Sequence, residues 1–187
     1  YYGTEQGLHA SGDSLEAVRE ALWGKPEAFD RDNPFYQTIQ RLSHTRDSQP
    51  ALRYGGQYFR ATSADDVHFT ISQGGGGAVA FSRILNDREV VVVANPSTTA
   101  RFGGAVIVDA SLTRDGTVYT TVFSNRAGRE GGAQAVTFKP QGSVSVTYAD
   151  GTGGDGPLLV LPVSLDPMEA QILTVAGAPP GLRGITD

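Results

Sequence analysis

The stretch that decides the class of fold is Glu89-Val90-Val91-Val92-Val93-Ala94-Asn95-Pro96. Valine is enriched in strands, and this run places apolar side chains on both faces of the strand it predicts. A strand of this kind is covered on both sides, so we expect residues 89–94 to lie centrally in a sheet. Asn95 and Pro96 mark its end.

Other short segments on either side of this run also have strand features and are bounded by Gly, Pro, Asn or Asp. They are residues 57–61, 67–73, 78–85, 104–110, 118–124, 135–139, 143–148, 158–163 and 170–175. Strands at this spacing, without helices between them, favour an antiparallel sandwich or a Greek-key barrel. We predict a mainly β fold, an antiparallel Greek-key β-sandwich of about eight strands.

Helical patterns are confined to the first part of the chain. Asp13 opens a capping-box pattern that predicts a short helix over residues 13–23. Asn33 is placed to cap a stronger helix, which has Pro34 at its first position. The apolar residues of that second helix repeat at i, i+4 and i+7 and predict a buried face: Phe35, Ile39 and Leu42.

The chain begins Tyr1-Tyr2-Gly3-Thr4-Glu5-Gln6-Gly7, a pattern typical of the end of a buried strand that runs into a polar loop. Aromatic rings beside a carboxylate and an amide suit a sugar, although a strand end with a solvated turn explains the same residues. We expect a strand, loop and helix in residues 1–50, a β-domain in residues 51–176, and a tail in residues 177–187. A start inside an apparent strand suggests a fragment or a processed product.

The composition narrows the classes of function. The 187 residues are 39% hydrophobic and 19% charged, with a net charge of −5 and no Lys/Arg cluster, so a nucleic-acid or anionic-membrane partner is not expected. The absence of cysteine excludes disulfides and thiol chemistry. No apolar run approaches the roughly 18 residues of a membrane span. We expect a soluble protein, and both an extracellular and a cytoplasmic location fit.

Four segments, taken in order, resemble the α-amylase family of glycoside hydrolases. They are Tyr-Tyr-Gly-Thr-Glu-Gln at residues 1–6, Arg-Glu-Ala-Leu-Trp at residues 19–23, Pro-Phe-Tyr-Gln-Thr-Ile-Gln-Arg-Leu at residues 34–42, and Gln-Pro-Ala-Leu at residues 49–52. In that family this order marks the last strand and helix of the catalytic (β/α)₈ barrel and the entry into the C-terminal β-domain. The resemblance therefore implies an amylase C-terminal-domain-like sandwich preceded by a strand-loop-helix remnant of the barrel.

The resemblance also implies a function, the hydrolysis of α-1,4-glucans such as starch or malto-oligosaccharides. The family's catalytic carboxylates lie on earlier barrel strands, and a whole barrel needs at least about 200 residues. We therefore expect this chain to be the C-terminal part of such an enzyme, partnered by the missing barrel or by another copy of the chain. Calcium occurs in the parent family, but no convincing ligand set stands in this sequence, so we predict no cofactor.

The resemblance assigns residues of the first loop to sugar binding. The family uses an arginine of this loop near the sugar beside the cleavage point, and Arg19 matches it. A nearby loop aspartate often helps, and Asp13 is the closest match, at a different spacing. The predicted substrate-binding residues are Tyr1, Glu5, Arg19 and Trp23. Arg19 equally suits an ion pair with Glu5 or Glu20, and a lone Trp at the end of a helix is more often part of a core.

Two other functions remain open at this point. A minimal hydrolase would use carboxylates of its own, with Glu5, Asp13 and Glu20 as candidates, and would need two carboxyl groups close together. A non-catalytic α-glucan-binding module would instead grip sugar through exposed aromatic side chains: Tyr54, Tyr58, Phe59 and Trp23. The exposure of those side chains distinguishes the second alternative.

Metal chemistry is not predicted. The segment Asp150-Gly-Thr-Gly-Gly-Asp155-Gly places two carboxylates in a glycine-rich turn that suits calcium, but a plain hairpin turn is the favoured interpretation. The histidines are far apart in sequence and lack metal-ligand spacing: His9, His44 and His68.

Overall fold

The computed structural model describes residues 3–8, 21–26, 28–72 and 77–176. The chain divides between Thr45 and Arg46 into two compact units, which are treated separately below. Among the described residues, no helix combines the length and the apolar character needed to cross a bilayer.

The first unit contains a short 3-10 helix, Thr4–Gln6, between Gly3 and Gly7. Both glycines have positive φ, 81° and 64°, which a residue with a side chain rarely adopts. The aromatic pair of the predicted strand, residues 1 and 2, lies outside the described residues. So does most of the predicted helix over residues 13–23, and its described end, residues 21–23, is not helical.

Helix α1 (Pro34–Ser48) begins where the sequence predicts. The Phe35 N–H donates to Asn33 Oδ1 at 2.9 Å, so Asn33 is the cap and Pro34 occupies the first turn. The predicted burial of its apolar face is wrong: Phe35, Ile39 and Leu42 are all exposed in the described structure. The spacing correctly places them on one face, but in the described structure each of the three side chains is at least 41% exposed.

The second unit contains the last residues of α1 and then helix α2 (Pro50–Tyr54), which lies where the sequence predicts the start of the β-domain. Thirteen strands follow in the described residues: β1 (Gly56–Arg60), β2 (Thr62–Ser63), β3 (His68–Thr70), β4 (Val79–Leu85), β5 (Arg88–Ala94), β6 (Phe102–Ile107), β7 (Val118–Ser124), β8 (Ala133–Ala135), β9 (Thr137–Lys139), β10 (Ser145–Thr147), β11 (Gly153–Gly154), β12 (Leu158–Leu165) and β13 (Ala170–Val175). The predicted segments 118–124 and 170–175 match β7 and β13 residue for residue. The two-residue strands β2 and β11 were not predicted.

The strands form two sheets. The first has six strands in the order β1-β4-β5-β13-β7-β8, and the second has seven in the order β11-β10-β3-β2-β6-β12-β9. Among the described strands, every pair is antiparallel except β3 with β10. The predicted mainly β, antiparallel sandwich is therefore confirmed, with one parallel pair that the sequence did not indicate.

The core lies between the two sheets. Val91, Val93 and Leu173 enter it from the first sheet, and Val106 and Leu161 enter it from the second. The four-valine strand β5 is internal to its sheet, as the continuous apolar run predicts. Its other face is also covered, because Val90 packs with Ala51 of α2. Coverage on both faces is consistent with the continuous apolar run at residues 90–93 of this strand.

The chain changes sheet at two buried residues. Ala61 separates β1, in the first sheet, from β2, in the second. Val136 separates β8 from β9 in the same way, and its N–H still donates to Thr117 O, in register with the pairing of β7 and β8. The single predicted strand over residues 135–139 is therefore two strands in different sheets.

Candidate functional site

The structure describes only part of the predicted sugar-binding loop. Tyr1, Asp13, Arg19 and Glu20 lie outside the described residues, so their predicted roles stay predictions. Glu5 lies partly exposed in the 3-10 helix Thr4–Gln6. Trp23 is 89% exposed, so the alternative that it belongs to a core is wrong.

The turn that carries Glu5 is held against the start of α1. Asn33 Nδ2 donates to Gln6 O at 3.1 Å, so the residue that caps α1 also holds this turn. Gly7 lies against the ring of Phe35, and a Cβ built on Gly7 would be 2.8 Å from Phe35 Cε2. The position of Glu5 is thus set by contacts with α1, whatever its role.

A buried carboxylate in the second unit, Glu89, is the centre of a polar network. Its side chain is 1% exposed. Oε1 accepts from Arg60 Nη2 at 2.9 Å and from Ser82 Oγ at 2.5 Å. Oε2 accepts from the Asp109 N–H at 3.0 Å and from the Tyr119 hydroxyl at 3.1 Å. Four donors satisfy this carboxylate, so it is not open to a substrate.

The contacts around Glu89 also shift the pKa values of its neighbours Tyr119 and Asp109. Burial, and then the neighbouring Glu89 carboxylate, raise the pKa of Tyr119, so the phenol stays protonated and donates. Hydrogen bonds from Ser111, and then the Arg60 guanidinium, lower the pKa of Asp109. This network was missed from the sequence. The signal for it is Glu89 itself, a charge on the same strand face as the buried Val91 and Val93.

A second buried carboxylate, Glu169, is the last residue of the loop between β12 and β13. It accepts from Ser124 Oγ at 2.9 Å, from Gln171 Nε2 at 2.7 Å and from the Asp166 N–H at 2.7 Å. Arg129 Nε lies 3.5 Å from its Oε1. The hydrogen bonds of this carboxylate therefore stabilise the loop in which it lies.

Asp166, in the same loop, lies between two arginines. Arg129 Nη2 is 2.8 Å and Arg101 Nη2 is 2.6 Å from its two carboxylate oxygens. Hydrogen bonds from Arg129, and then from Arg101, lower the pKa of Asp166. The two arginines therefore balance the charge of Asp166, and no ligand is needed to explain their positions.

The described residues show no metal site, but they do line cavities. Among those residues, no group of three His, Asp or Glu side chains is arranged to hold a metal ion. Asp150 lies in the hairpin turn between β10 and β11, the favoured interpretation, and Asp155 follows β11. A cavity of about 450 Å³ lies beside Asn95 and Arg101. Asn95 Nδ2 already donates to two carbonyls, those of Ala100 and Asp166, so this cavity lacks a free amide.

Three solved structures establish what this fold is similar to. The crystal structure of CldA, a cyclomaltodextrin glucanotransferase, matches with a TM-score of 0.54 at 24% identity over 93% of this chain and 28% of that chain. The debranching enzyme from Nostoc punctiforme matches with a TM-score of 0.52 at 22% identity over 94% of this chain and 27% of that chain. The α-amylase from H. orenii matches with a TM-score of 0.50 at 17% identity over 94% and 31%.

The chain has the fold of the C-terminal region of amylase-type enzymes. The resemblance noted from the sequence is thus confirmed at the level of fold. The chain spans little more than a quarter of the length of the first structures that it matches. No protein-family model and no curated protein sequence matches it.

The chain exposes the aromatic side chains that the binding-module alternative requires. Tyr54 is 61%, Tyr58 is 52% and Phe59 is 60% exposed, all at the start of the second unit. Tyr58 and Phe59 are consecutive residues of β1, so they project from opposite faces of the sheet. The three rings therefore do not form one flat surface.

The lowered pKa values of Asp109 and Asp166 predict how the stability of the fold depends on pH. The folded-state pKa is lowered for both Asp109 and Asp166. Their stabilisation is therefore complete above the unfolded-state pKa of about 3.9 and is lost as the pH falls through the lower folded-state pKa. We expect the contribution of these two carboxylates to the urea midpoint of unfolding to be constant above about pH 5. In more acidic solution, the midpoint should fall.

Asp166→Asn tests the sign of this dependence. The variant should be less stable than the parent at pH 7, and the difference should shrink as the pH falls below about 4. Asp87→Asn is the matched control, because the Asp87 side chain is 75% exposed. A difference between parent and Asp166→Asn that stays constant down to acidic pH would contradict the prediction.

Proposed function

We propose that this chain is the C-terminal part of an α-amylase-type glycosidase that acts on α-1,4-glucans such as starch or malto-oligosaccharides. The observation that carries the proposal is the fold likeness, which covers 93% of this chain but only 28% of the similar glucanotransferase. The similar proteins are a cyclomaltodextrin glucanotransferase, a debranching enzyme and an α-amylase. Because their reactions differ, the likeness supports the class of substrate and leaves the linkage open.

The exposed face of α1 supports a partner of this kind. Phe35, Ile39 and Leu42 lie on one face at i, i+4 and i+7, and each is at least 41% exposed. A helix with an apolar stripe normally packs that stripe on another element. In the proposed enzyme, the stripe faces the part of the protein that carries the catalytic barrel.

The carboxylates also support the proposal. Glycoside hydrolysis needs two carboxyl groups on either side of the scissile bond. In the second unit, Glu89 and Glu169 are each held by at least three hydrogen-bond donors and are closed to a sugar. We infer that the catalytic carboxylates stand elsewhere in the whole enzyme, and that Arg19 and the loop of Glu5 contribute to sugar binding.

The first test is turnover. The purified chain, with its mass of 19.7 kDa confirmed, should release no product from maltoheptaose above buffer. Product release that follows the 19.7 kDa species would overturn the proposal in favour of a minimal hydrolase. In that case Glu5→Gln or Glu20→Gln should abolish turnover, whereas Asp87→Asn, an exposed control, should retain it.

The second test is the size of the native protein. An antibody raised against this chain should detect, in cells that produce it, a species much larger than 19.7 kDa that copurifies with α-glucan hydrolysis. A native species of 19.7 kDa that binds α-glucan without turnover would instead identify a free-standing binding module. The exposure of Tyr54, Tyr58, Phe59 and Trp23 is the observation that favours this second candidate.

A further inference from the structure

We propose that the β1 edge of the sandwich joins two copies of this chain, through antiparallel pairing of β1 with β1 of the second copy. Strand β1 (Gly56–Arg60) is the terminal strand of the first sheet, and in the described structure only β4 pairs with it. Alternate residues of an antiparallel strand direct their N–H and C=O groups away from the neighbour already paired. This pairing does not depend on which reaction the proposed enzyme performs.

The edge strands of the two described sheets differ in length. Three of them are short, because β8 and β9 have three residues each and β11 has two. Strand β1 has five residues, and all five pair with β4 in one unbroken register. Short edge strands and bulges are common ways in which proteins protect a sheet from pairing with another chain. Strand β1 has neither, so it is the edge best suited to accept another strand.

The residue types of β1 do not protect its edge either. The strand reads Gly-Gln-Tyr-Phe-Arg and contains neither proline nor lysine, the residues that most often block an edge. Its one charge belongs to Arg60, whose side chain is turned toward β4 and β5. Arg60 Nε donates to Ser82 Oγ at 2.8 Å, and Arg60 Nη2 donates to the buried Glu89 at 2.9 Å. The charge of Arg60 is thus compensated within one copy and does not repel a second strand.

Two aromatic side chains of β1 are left half-exposed, and they lie on opposite faces of the sheet. Tyr58 is 52% and Phe59 is 60% exposed. Tyr58 shares its face with Ala80, a residue of the main core, whereas Phe59 is paired with Phe81 on the other face. A partner lying on either face would cover only one of the two rings. A strand added beside β1 would cover part of both.

Strand β1 is complementary to a second copy of itself. A closed dimer has a two-fold axis, which makes two identical edge strands antiparallel to each other. Full overlap of the two five-residue strands then fixes the register: Gly56 faces Arg60, Gln57 faces Phe59, and Tyr58 faces Tyr58 of the second copy. No like charges face each other, and the long Arg60 lies opposite a glycine. An aromatic pair at the centre stabilises such a pairing.

The position of the Tyr58 ring leaves room for the ring of the second copy. A Cβ built on Gly56 would be 3.1 Å from both Cε2 and the hydroxyl of Tyr58, so the ring lies over Gly56 in the space that a side chain would fill. The ring therefore leans toward the start of β1. Because the two paired strands run in opposite directions, their two rings lean in opposite directions and lie side by side.

The first test is an exchange of charge at position 58, measured by sedimentation equilibrium, with unfolding curves confirming that each variant is folded. Pairing through one short strand gives a small interface, so the parent should shift from 19.7 kDa toward twice that mass between about 1 and 500 µM. Tyr58→Lys and Tyr58→Asp should each raise the dissociation constant about tenfold or more, because like charges then face each other. An equimolar mixture of the two variants should dimerise again, because opposite charges then face each other.

Phe138→Lys is the matched control for the added charge. Phe138 is 49% exposed and lies in β9, an edge strand of the second sheet. A lysine at that edge should leave the dissociation constant of the dimer unchanged. An equal loss of the dimer in Phe138→Lys and in Tyr58→Lys would overturn the proposal.

The second test uses the absence of cysteine from the chain. Residues directly opposite each other in antiparallel strands have Cα atoms about 4.5–5.5 Å apart, a separation that a disulfide spans. Tyr58→Cys should therefore form a disulfide-linked dimer on mild oxidation. Gln57→Cys faces Phe59 and not its own copy, so it should cross-link far less by itself. Mixed with Phe59→Cys, it should form a linked heterodimer.

Other outcomes would overturn the pairing. A parent that stays monomeric at about 500 µM would leave the β1 edge to a different chain and exclude the dimer. A mixture of Tyr58→Lys and Tyr58→Asp that stays monomeric, or Gln57→Cys that cross-links as readily as Tyr58→Cys, would exclude the register. Failure of the dimer is distinguishable from failure of the proposed function, because α-glucan hydrolysis by the larger native species does not require β1 to pair.

Discussion

Glu89→Gln should lower the free energy of unfolding by about 3–5 kcal/mol, the range seen when one partner of a buried ion pair is removed. The reason is the number of donors that converge on this side chain. Glu89 accepts from Arg60 and Ser82 on one oxygen and from Tyr119 and the Asp109 N–H on the other. An amide has one acceptor oxygen, so its NH₂ group must face one of these two pairs of donors. Arg60 also loses its buried counter-charge.

Urea unfolding at neutral pH measures this effect. Asp87→Asn is the control, since it makes the same acid-to-amide change two residues away at a side chain that is 75% exposed. It should change the free energy of unfolding by no more than about 0.5 kcal/mol. If Glu89→Gln were no more destabilising than Asp87→Asn, the polar network would not stabilise the sandwich.

Leu161→Ala should cost about 2–5 kcal/mol of unfolding free energy. Leu161 lies at the middle of β12, opposite Val106, and its side chain is fully buried between the sheets. Truncation removes apolar contacts and leaves a cavity, since β6 and β9 on either side of β12 limit how far the strand can move.

The matched control is Phe138→Ala on the neighbouring strand. Phe138 lies in β9, which pairs with β12, but it is 49% exposed. Its truncation removes more atoms than Leu161→Ala and should still cost less, because much of the ring is already in water. A larger loss for Phe138→Ala than for Leu161→Ala would show that the core is not centred between the sheets at this point.

Most of the strands could be located from the sequence, because the residues that indicate a strand and its ends are close together in the chain. Residues 118–124 and 170–175 are strands β7 and β13 as predicted, since turn residues border runs of β-branched and aromatic side chains. The same holds for Asn33, whose capping bond to Phe35 involves residues two apart. Of the residues predicted to bind sugar in the first loop, Glu5 and Trp23 are described and Arg19 is not.

The features that the sequence did not predict, the polar network and the changes of sheet, depend on residues that are far apart in the chain. Arg60 and Glu89 are separated by 29 positions, and only the pairing of β1 with β4 and β5 brings them together. The sheet changes at Ala61 and Val136 are similar, because a periodic pattern shows that a segment is extended but not which sheet it joins.

The sequence by itself therefore determined the strand-forming segments, the capped helix α1 and the amylase-type order of motifs, because each is encoded by neighbouring residues. The tertiary structure alone decided that Glu89 is a satisfied structural carboxylate, that Tyr58 rests on Gly56 in the open, and that Phe35, Ile39 and Leu42 are exposed. Burial is a property of what packs against a side chain, and those neighbours are set by the fold and not by the spacing of residues along the chain.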